Sequence, residues 1–285
     1  MKKGVFSHAA SVCLTAFAVA SAVLGCRAPS VGNADRPRIA VFHNHLVDMA
    51  RQRNVPLAEA VRVARSWGVE GIDVFDAFDG GESEELLALG LKCAAFVISA
   101  DFAVSDDSAK VEKAFAFVRR HGADVIMLVP GQVPDGMTRE AAWAAAKPRI
   151  AAFVARAARE GVPVALEDFD WNEPIVGSAE HLRRAFREVP GLGHVLDTGN
   201  YDRWGDDPLA CAREFAPRIR HVHVKDLAKD GSSGSVAAGT GRIPLDAILR
   251  QLRADSYRGW LTVECFGAGD MWRTVETSVA YLNRF

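Results

Sequence analysis

Residues 163–197 read PVALEDFDWNEPIVGSAEHLRRAFREVPGLGHVLD and hold the alternation that decides the fold. A short apolar run (163–167) ends in Glu167, a segment of helical period follows (178–188), and a second apolar run (194–197) ends in Asp197. This pattern predicts a strand, a helix and a second strand parallel to the first. Because neither strand has a polar face, we expect both faces of the sheet to be covered.

The same alternation extends from residue 38 to residue 285. The predicted strands are 39–43, 71–75, 92–98, 124–129, 163–167, 194–197, 219–224 and 260–264. The predicted helices are 57–67, 82–90, 108–121, 138–160, 178–188, 207–216, 244–254 and 271–283. Ser108 and Ser178 are predicted helix caps, and Gly122 and Gly161 are predicted to end helices. Eight such units in about 250 residues predict one α/β domain, a (β/α)8 TIM barrel over residues 38–285.

An open, doubly wound sheet is the alternative architecture. Such a sheet normally carries a glycine-rich first turn that binds a nucleotide. Here the first predicted strand leads into His43-Asn44-His45 instead, which favours the barrel.

The first 37 residues form a separate region. Lys2 and Lys3 precede an uncharged run over residues 9–24, which is shorter than the ~20 residues that span a bilayer. We therefore predict a signal peptide over residues 1–25. The run ends in Val-Leu-Gly-Cys26, which resembles a lipoprotein acylation site, so residues 26–37 are predicted to be a lipidated tether. The expected location is periplasmic or cell-surface, with membrane contact only through lipid on Cys26; an ordinary signal peptide with an incidental cysteine is the alternative.

Composition narrows the classes of function. The 285 residues are 49% hydrophobic and 25% charged, typical of a globular protein, and the net charge is −2. Without a basic surplus, we expect no nucleic-acid partner. Cys93, Cys211 and Cys265 form no paired motif and are expected to be buried hydrophobic residues. A homo-oligomer is compatible with this composition.

Charged residues end the last four predicted strands, at Glu167, Asp197, His223 and Glu264. In a barrel, these ends meet at one mouth, where barrel enzymes place their chemistry. Singly, each residue could cap a helix or be a hydrogen-bonded core residue. Together, four charged groups within apolar strands need a shared counter-charge, because unpaired burial costs several kcal/mol. The set favours one divalent ion, Mn²⁺ first, with Mg²⁺, Co²⁺ or Zn²⁺ as alternatives.

Five segments in the same order resemble the xylose isomerase-like TIM barrel family of sugar phosphate isomerases and epimerases, including ketose 3-epimerases. They are ALE (165–167), LDTGN (196–200), HVHVKD (221–226), GTGRIP (239–244) and YRGWLTVE (257–264). The resemblance covers about residues 38–285. It implies that Glu167, Asp197, His223 and Glu264 ligate the metal and that the two glutamates are the catalytic acid and base. It also implies that Glu173 contacts substrate.

Other positions extend or depart from the family pattern. Asn200 stands where many members have histidine; it can hold a sugar hydroxyl but cannot carry a proton. The basic residue expected after the metal histidine is either Lys225 or Lys229. His43 and His45, at the predicted end of the first strand, are further candidates for substrate binding. His221 is expected to be a strand or supporting residue rather than a ligand.

The predicted function is a divalent-metal-dependent sugar isomerase or epimerase that transfers a proton through an enediolate. Because sugar phosphates are scarce outside the cytoplasm, an unphosphorylated small carbohydrate is the expected substrate. Cleavage of a 3-keto-glycoside by a lyase or hydrolase is one alternative, and a non-catalytic carbohydrate-binding surface lipoprotein is another. The apurinic endonucleases of the same fold need several additional histidines, and this chain has only eight in all.

Overall fold

Each apolar run of the sequence forms a parallel strand in the computed structural model, which describes Met1 and residues 36–285. The barrel strands are β1 (Arg38–Phe42), β2 (Val69–Phe75), β3 (Lys92–Ser99), β4 (Val125–Val129), β5 (Val164–Glu167), β6 (Gly193–Asp197), β7 (Ile219–Leu227) and β9 (Trp260–Glu264). A two-residue strand, β8 (Ser235–Val236), pairs antiparallel with the end of β7. All eight predicted strands are confirmed.

The barrel closes through two pairings at its seam. Strands β1 to β7 pair in sequence order, and β9 lies between β7 and β1. All eight neighbours are parallel, so every carboxyl end lies at the same mouth. The predicted (β/α)8 TIM barrel is confirmed.

Helices connect the strands and cover the outside of the barrel. They are α1 (His43–Arg53), α2 (Leu57–Trp67), α3 (Glu82–Ala88), α4 (Ser108–His121), α5 (Arg139–Glu160), α6 (Ala179–Glu188), α7 (Tyr201–Trp204), α8 (Pro208–Glu214), α9 (Leu245–Ala254) and α10 (Met271–Leu282). Gly122 and Gly161 follow α4 and α5 with positive φ, as predicted. Each of the eight predicted helices is present.

One helix cap was predicted correctly and another was not. The Ser178 hydroxyl accepts a hydrogen bond from the His181 N–H, and the His181 imidazole accepts one from the Ser178 N–H, which closes a capping box. At α4, however, the cap residue is Asp107, in the left-handed conformation, and Ser108 is the first helical residue. The prediction of Ser108 as a cap was wrong by one residue.

The end of the first strand also differs from the prediction. β1 ends at Phe42, and His43 and His45 open helix α1 instead of ending a strand. The reason is that apolar side chains recur at helical spacing directly after them and pack into the core. These side chains are Leu46, Met49 and Ala50.

Alternating side chains divide the core into two layers. Val41 and Leu128 point outward and pack with the helices in the larger hydrophobic cluster. Their neighbours Phe42 and Met127 point inward and belong to the cluster that fills the barrel. The three cysteines at 93, 211 and 265 are buried and unpaired, as expected.

The predictions for the N-terminal region lie outside the described residues. They concern the signal peptide (1–25), the lipidation of Cys26 and all but the last two residues of the tether (26–37). Within the part of the chain that the structure describes, no helix has the length and apolar character needed to cross a membrane.

Candidate metal centre and active site

Three strand ends and the middle of β7 bring the predicted ligands together. The prediction that His223 ends its strand was wrong, because β7 continues to Leu227, where it pairs with β8. Glu167 and Asp197 end β5 and β6, Glu264 ends β9, and His223 lies directly opposite Asp197 in the register of β7. One ligand atom from each side chain lies within 4.8 Å of every other. All four residues are buried, with exposed fractions between 0% and 8%. The four residues predicted as ligands therefore form one compact cluster at the mouth.

The imidazole of His223 is the centre of this cluster. Its Nδ1 atom is 2.5 Å from Glu167 Oε1 and 3.2 Å from Glu264 Oε2. Two carboxylates from different strands thus approach the same nitrogen. This is the arrangement expected of side chains that share a cation.

Asp197 is fixed by its own strand end and leaves one oxygen free. Its Oδ1 atom accepts hydrogen bonds from the backbone N–H groups of Gly199 and Asn200, both at 2.7 Å. Its Oδ2 atom is buried and has no hydrogen-bond partner among the described residues. Because a buried unpaired carboxylate oxygen is costly, this atom indicates a site for a cation.

The protein gives the clustered carboxylates very different acidities. Burial, with Glu264 nearby, raises the pKa of Glu167 to about 7. Burial and Glu264 also hold the pKa of Asp197 well above its ordinary value. For Glu264, burial is outweighed by Lys225 and His223, and the pKa falls to about 2. The raised values reflect carboxylates that lack a sufficient counter-charge, which a divalent ion would supply.

Lys225 supplies the positive charge beside Glu264. Its Nζ atom lies 3.2 Å from Glu264 Oε1, 3.2 Å from Asp170 Oδ2 and 2.6 Å from Asn200 Oδ1. Although burial opposes it, the surrounding carboxylates raise the pKa of Lys225, so the side chain stays an ammonium. Of the two lysines considered, Lys225 reaches the cluster, whereas Lys229 lies exposed in a turn.

A second polar group lies deeper in the barrel. Asp73 Oδ2 is 3.0 Å from His223 Nε2 and 2.7 Å from His221 Nε2. The Thr262 hydroxyl donates to Asp73 Oδ1 at 3.0 Å. All four side chains are fully buried.

The mouth holds a pocket with one apolar and one polar side. The first four strands contribute apolar walls, which are Phe42, Phe75, Val97 and Met127. The last four strands and their loops contribute the polar groups, which are Glu167, Asp170, Asn200, His223 and Glu264. Phe169 and Phe266 complete the wall.

Four residues predicted to bind substrate lie outside this wall, namely Glu173, His43, His45 and Lys225. Glu173 is largely exposed and pairs with Arg139 at 2.8 Å. The Nδ1 atom of His43 accepts the N–H of Phe75, and the Nε2 atom of His45 accepts the N–H of Cys265. One ring nitrogen of each histidine is therefore hydrogen-bonded to the backbone, and neither side chain lines the cavity. Asn200, in contrast, lies in the wall as predicted.

The sequence reading did not identify Asp73 or Asp170. Asp73 interrupts an apolar strand, GIDVF, in the same way as the four predicted ligands interrupt theirs. Asp73 thus carries the same pattern of a charged residue in an apolar strand, but on β2 rather than on one of the last four strands. Asp170 lies in a loop, where no periodicity marks an acidic residue.

The family can now be identified. The sequence profile of the family described as "Xylose isomerase-like TIM barrel" matches residues 61–284, most of the chain. The chain belongs to the xylose isomerase-like TIM barrel family.

Two characterised relatives match over a short stretch. An inosose dehydratase of Clostridium beijerinckii is 29% identical over 86 residues, which is 25% of this chain and 29% of the relative. The rhizopine catabolism protein MocC of Rhizobium meliloti is 34% identical over 89 residues, which is 26% of this chain and 27% of that protein. The matched stretch thus spans less than a third of the length of each relative.

Three solved structures share the whole barrel. The probable 3-DHS dehydratase AsbF of Bacillus anthracis has a TM-score of 0.69 at 18% identity, over 86% of this chain and 98% of its own. The 3-keto-D-glucoside 4-epimerase YcjR of E. coli has a TM-score of 0.67 at 16% identity, over 88% of this chain and 99% of its own. The IOLI protein, solved with a zinc atom, has a TM-score of 0.68 at 16% identity, over 87% of this chain and 95% of its own. At these identities, the likeness shows the fold alone.

Proposed function

We propose that this protein binds one divalent cation through Glu167, Asp197, His223 and Glu264. The free Oδ2 atom of buried Asp197 is the observation that carries the proposal, because three carboxylates converge on one imidazole and the ammonium of Lys225 balances only part of their charge. Three oxygen donors and one nitrogen donor suit Mn²⁺, Mg²⁺, Co²⁺ or Zn²⁺. When bound, such an ion would polarise a substrate carbonyl and acidify the neighbouring C–H bond.

Glu264 and Glu167 are the proposed proton-transfer pair. The ammonium of Lys225 keeps Glu264 ionised, so Glu264 is suited to remove a proton from the carbon next to the carbonyl. Glu167, which contacts the same nitrogen of His223 from another strand, is the proposed donor of the returning proton. Return of a proton to the opposite face of the same carbon gives an epimer, and return to the adjacent carbon gives an isomer. In the reverse direction the two glutamates exchange roles.

The cavity favours a neutral cyclic substrate. A sugar or cyclitol ring presents both an apolar C–H face and polar oxygens, which match the two sides of this pocket. The phenylalanine side can pack against the C–H face of such a ring, while the polar side holds its oxygens. Lys225 is committed to two carboxylates, and no Lys or Arg of the described residues lines the cavity, so a phosphate group would lack a partner. We therefore propose an unphosphorylated polyhydroxy ketone.

Dehydration, or another β-elimination, is the second candidate. The similarity to an inosose dehydratase favours it. The same pair could act: Glu264 takes the proton next to the carbonyl, and Glu167 protonates the oxygen that leaves from the next carbon. With a hydroxyl this releases water, and with a glycosidic oxygen it cleaves a 3-keto-glycoside. The two candidates differ only in which substrate atom faces Glu167.

A substrate panel tests the proposal. Metal-loaded protein is incubated separately with a free ketose, a 3-keto-glucoside and an inosose, and the products are followed by NMR and by the absorbance of a conjugated enone. An epimer or isomer supports the first candidate, and an enone supports the second. The Asp197→Ala variant should lose both the metal and the turnover.

Binding without turnover would contradict the proposed reaction. If the metal-loaded protein bound one of these ketones tightly and left it unchanged, the protein would instead be a carbohydrate-binding module. Turnover that persisted in metal-free Asp197→Ala protein would contradict the role of the metal.

A further inference from the structure

Both carboxylate oxygens of Asp73 accept hydrogen bonds from side chains of other strands. Its Oδ2 atom faces the Nε2 atoms of His221 and His223, and its Oδ1 atom accepts the Thr262 hydroxyl. The carboxylate lies on β2, whereas its partners lie on β7 and β9. Asp73 therefore ties three strands together across the interior of the barrel.

The cluster lies one step below the candidate metal centre. His221 and His223 are two residues apart on β7, as are Thr262 and Glu264 on β9, and alternate residues of a strand share a face. His223 is the link, because its Nδ1 atom faces Glu167 and its Nε2 atom faces Asp73.

This arrangement decides which nitrogen of His223 can bind a cation. A ligating imidazole nitrogen must be unprotonated, so the proton must sit on the other nitrogen. Asp73 Oδ2 accepts a hydrogen bond from a proton on His223 Nε2. Nδ1 is then unprotonated and faces Glu167 and Glu264. The ring orientation is fixed by the same bond.

We propose that Asp73 is a positioning residue for the metal centre, which holds His223 as the Nε2–H tautomer with Nδ1 presented to the cation. The inference rests on the proposed function, since it concerns the same metal centre. Thr262 has a supporting role, because its hydroxyl orients the carboxylate of Asp73.

A second cation site at Asp73, His221 and His223 is the competing interpretation, since their ligand atoms also lie within 4.8 Å of one another. It is disfavoured because it would require both imidazoles to lose the Nε2 proton and His223 to bind cations through both nitrogens. The short distances to Asp73 are already satisfied as hydrogen bonds.

Cobalt binding to the full-length protein tests the inference. Co²⁺ affinity is measured by chelator competition for wild type, Asp73→Asn and Thr262→Val, together with the proton NMR spectrum of each Co²⁺ complex. Asp73→Asn should bind Co²⁺ about 10–100-fold more weakly, the usual cost of losing a partner of a ligating histidine. It should also lose or shift the exchangeable Nε2–H resonance of His223. Thr262→Val should weaken binding by a smaller factor.

Asp226→Asn is the matched control. Asp226 is a buried carboxylate on the same strand as His223, but among the described residues it accepts only backbone N–H groups, including those of Gly239, Gly241 and Ile243. This variant should be less stable yet bind Co²⁺ with unchanged affinity. If Asp73→Asn does not fold, Thr262→Val and its NMR spectrum decide the question against the same control.

The outcomes separate the two proposals. If wild type binds no Co²⁺, the metal centre itself is wrong and the inference falls with it. If wild type binds one Co²⁺ and both the affinity and the Nε2–H resonance are unchanged in Asp73→Asn, only the role of Asp73 is wrong. Two Co²⁺ per protein, with one lost in Asp73→Asn, would make Asp73 a ligand and would also overturn its positioning role.

Discussion

At the scale of single residues, the site assigns opposite acidities to two glutamates that touch the same imidazole. Glu264 has an ammonium at 3.2 Å and is held ionised, whereas among the described residues no Lys or Arg is in hydrogen-bond contact with Glu167, which faces the imidazole of His223. Burial then dominates at Glu167 and raises its pKa to about 7. In the metal-free protein, environment rather than residue type thus separates the acidities of the two glutamates.

This difference predicts how the stability of the metal-free protein depends on pH. The folded state binds the Glu167 proton more tightly than the unfolded state, whose pKa is near 4.5, so the contribution of Glu167 to stability falls as pH rises from about 4.5 to about 7. Glu167→Gln has no proton to lose. Between about pH 5 and pH 8, wild type should lose on the order of 1–3 kcal/mol relative to Glu167→Gln. Urea unfolding with chelator present measures this difference.

Glu264→Gln is the control for that experiment. The pKa of Glu264 is lowered to about 2, so its contribution is present above about pH 4.5 and is lost only as pH falls through the folded-state value. Relative to Glu264→Gln, wild type should show no comparable loss over the same range. Equal pH dependence for both pairs would contradict the assigned acidities.

At the scale of the elements, the loop after β6 holds Lys225 in place beside the candidate metal centre. It carries Asn200, which bonds to the ammonium of Lys225, and Thr198, whose hydroxyl donates to the Lys225 carbonyl at 2.7 Å. Gly199 lies between them and packs against the stem of Lys225. Because Gly199 lacks a side chain, the stem of Lys225 can lie close to the loop.

Substituting Gly199 should displace Lys225. A Cβ atom at this position would lie 2.9 Å from Lys225 Cγ and 3.1 Å from Cδ, so the stem must shift. We expect Gly199→Ala to fold and to lower turnover about 10–100-fold, as misplacement of a charged group by about 1 Å can do. At Gly269, a Cβ atom meets nothing within 4 Å, and Gly269→Ala should retain near wild-type turnover. Equal turnover in the two variants would show that the placement of Lys225 is unimportant.

The elements also show how far sequence reasoning reaches. Strands and helices were predictable because apolar runs and helical periods alternate without interruption, and the four clustered residues were predictable because charges ended apolar strands. The start of α1 was not, because His43-Asn44-His45 carries no helix signal of its own. The outward placement of Glu173 was not either, because its pairing with Arg139 joins distant parts of the chain.

At the scale of the whole molecule, we propose that a barrel enzyme is attached to a membrane through Cys26. The support is the uncharged run that ends in Gly25-Cys26. Cys26→Ala should move the protein from the membrane fraction to the soluble fraction, with metal content unchanged. Fractionation followed by immunoblotting measures this shift. Membrane retention of folded Cys26→Ala protein would contradict acylation at this residue.

A proton transfer between two glutamates beside one metal is the central claim, and solvent deuterium tests it most directly. During turnover of an active ketone in D₂O, metal-loaded wild type should place deuterium on the carbon next to the carbonyl. Metal-loaded Glu167→Gln and Glu264→Gln should each lose about 10²–10⁴-fold in rate, the usual cost of removing a general acid or base. Metal content is measured in each variant first, because both residues are proposed ligands. Full turnover by both variants in their metal-loaded form would contradict the account.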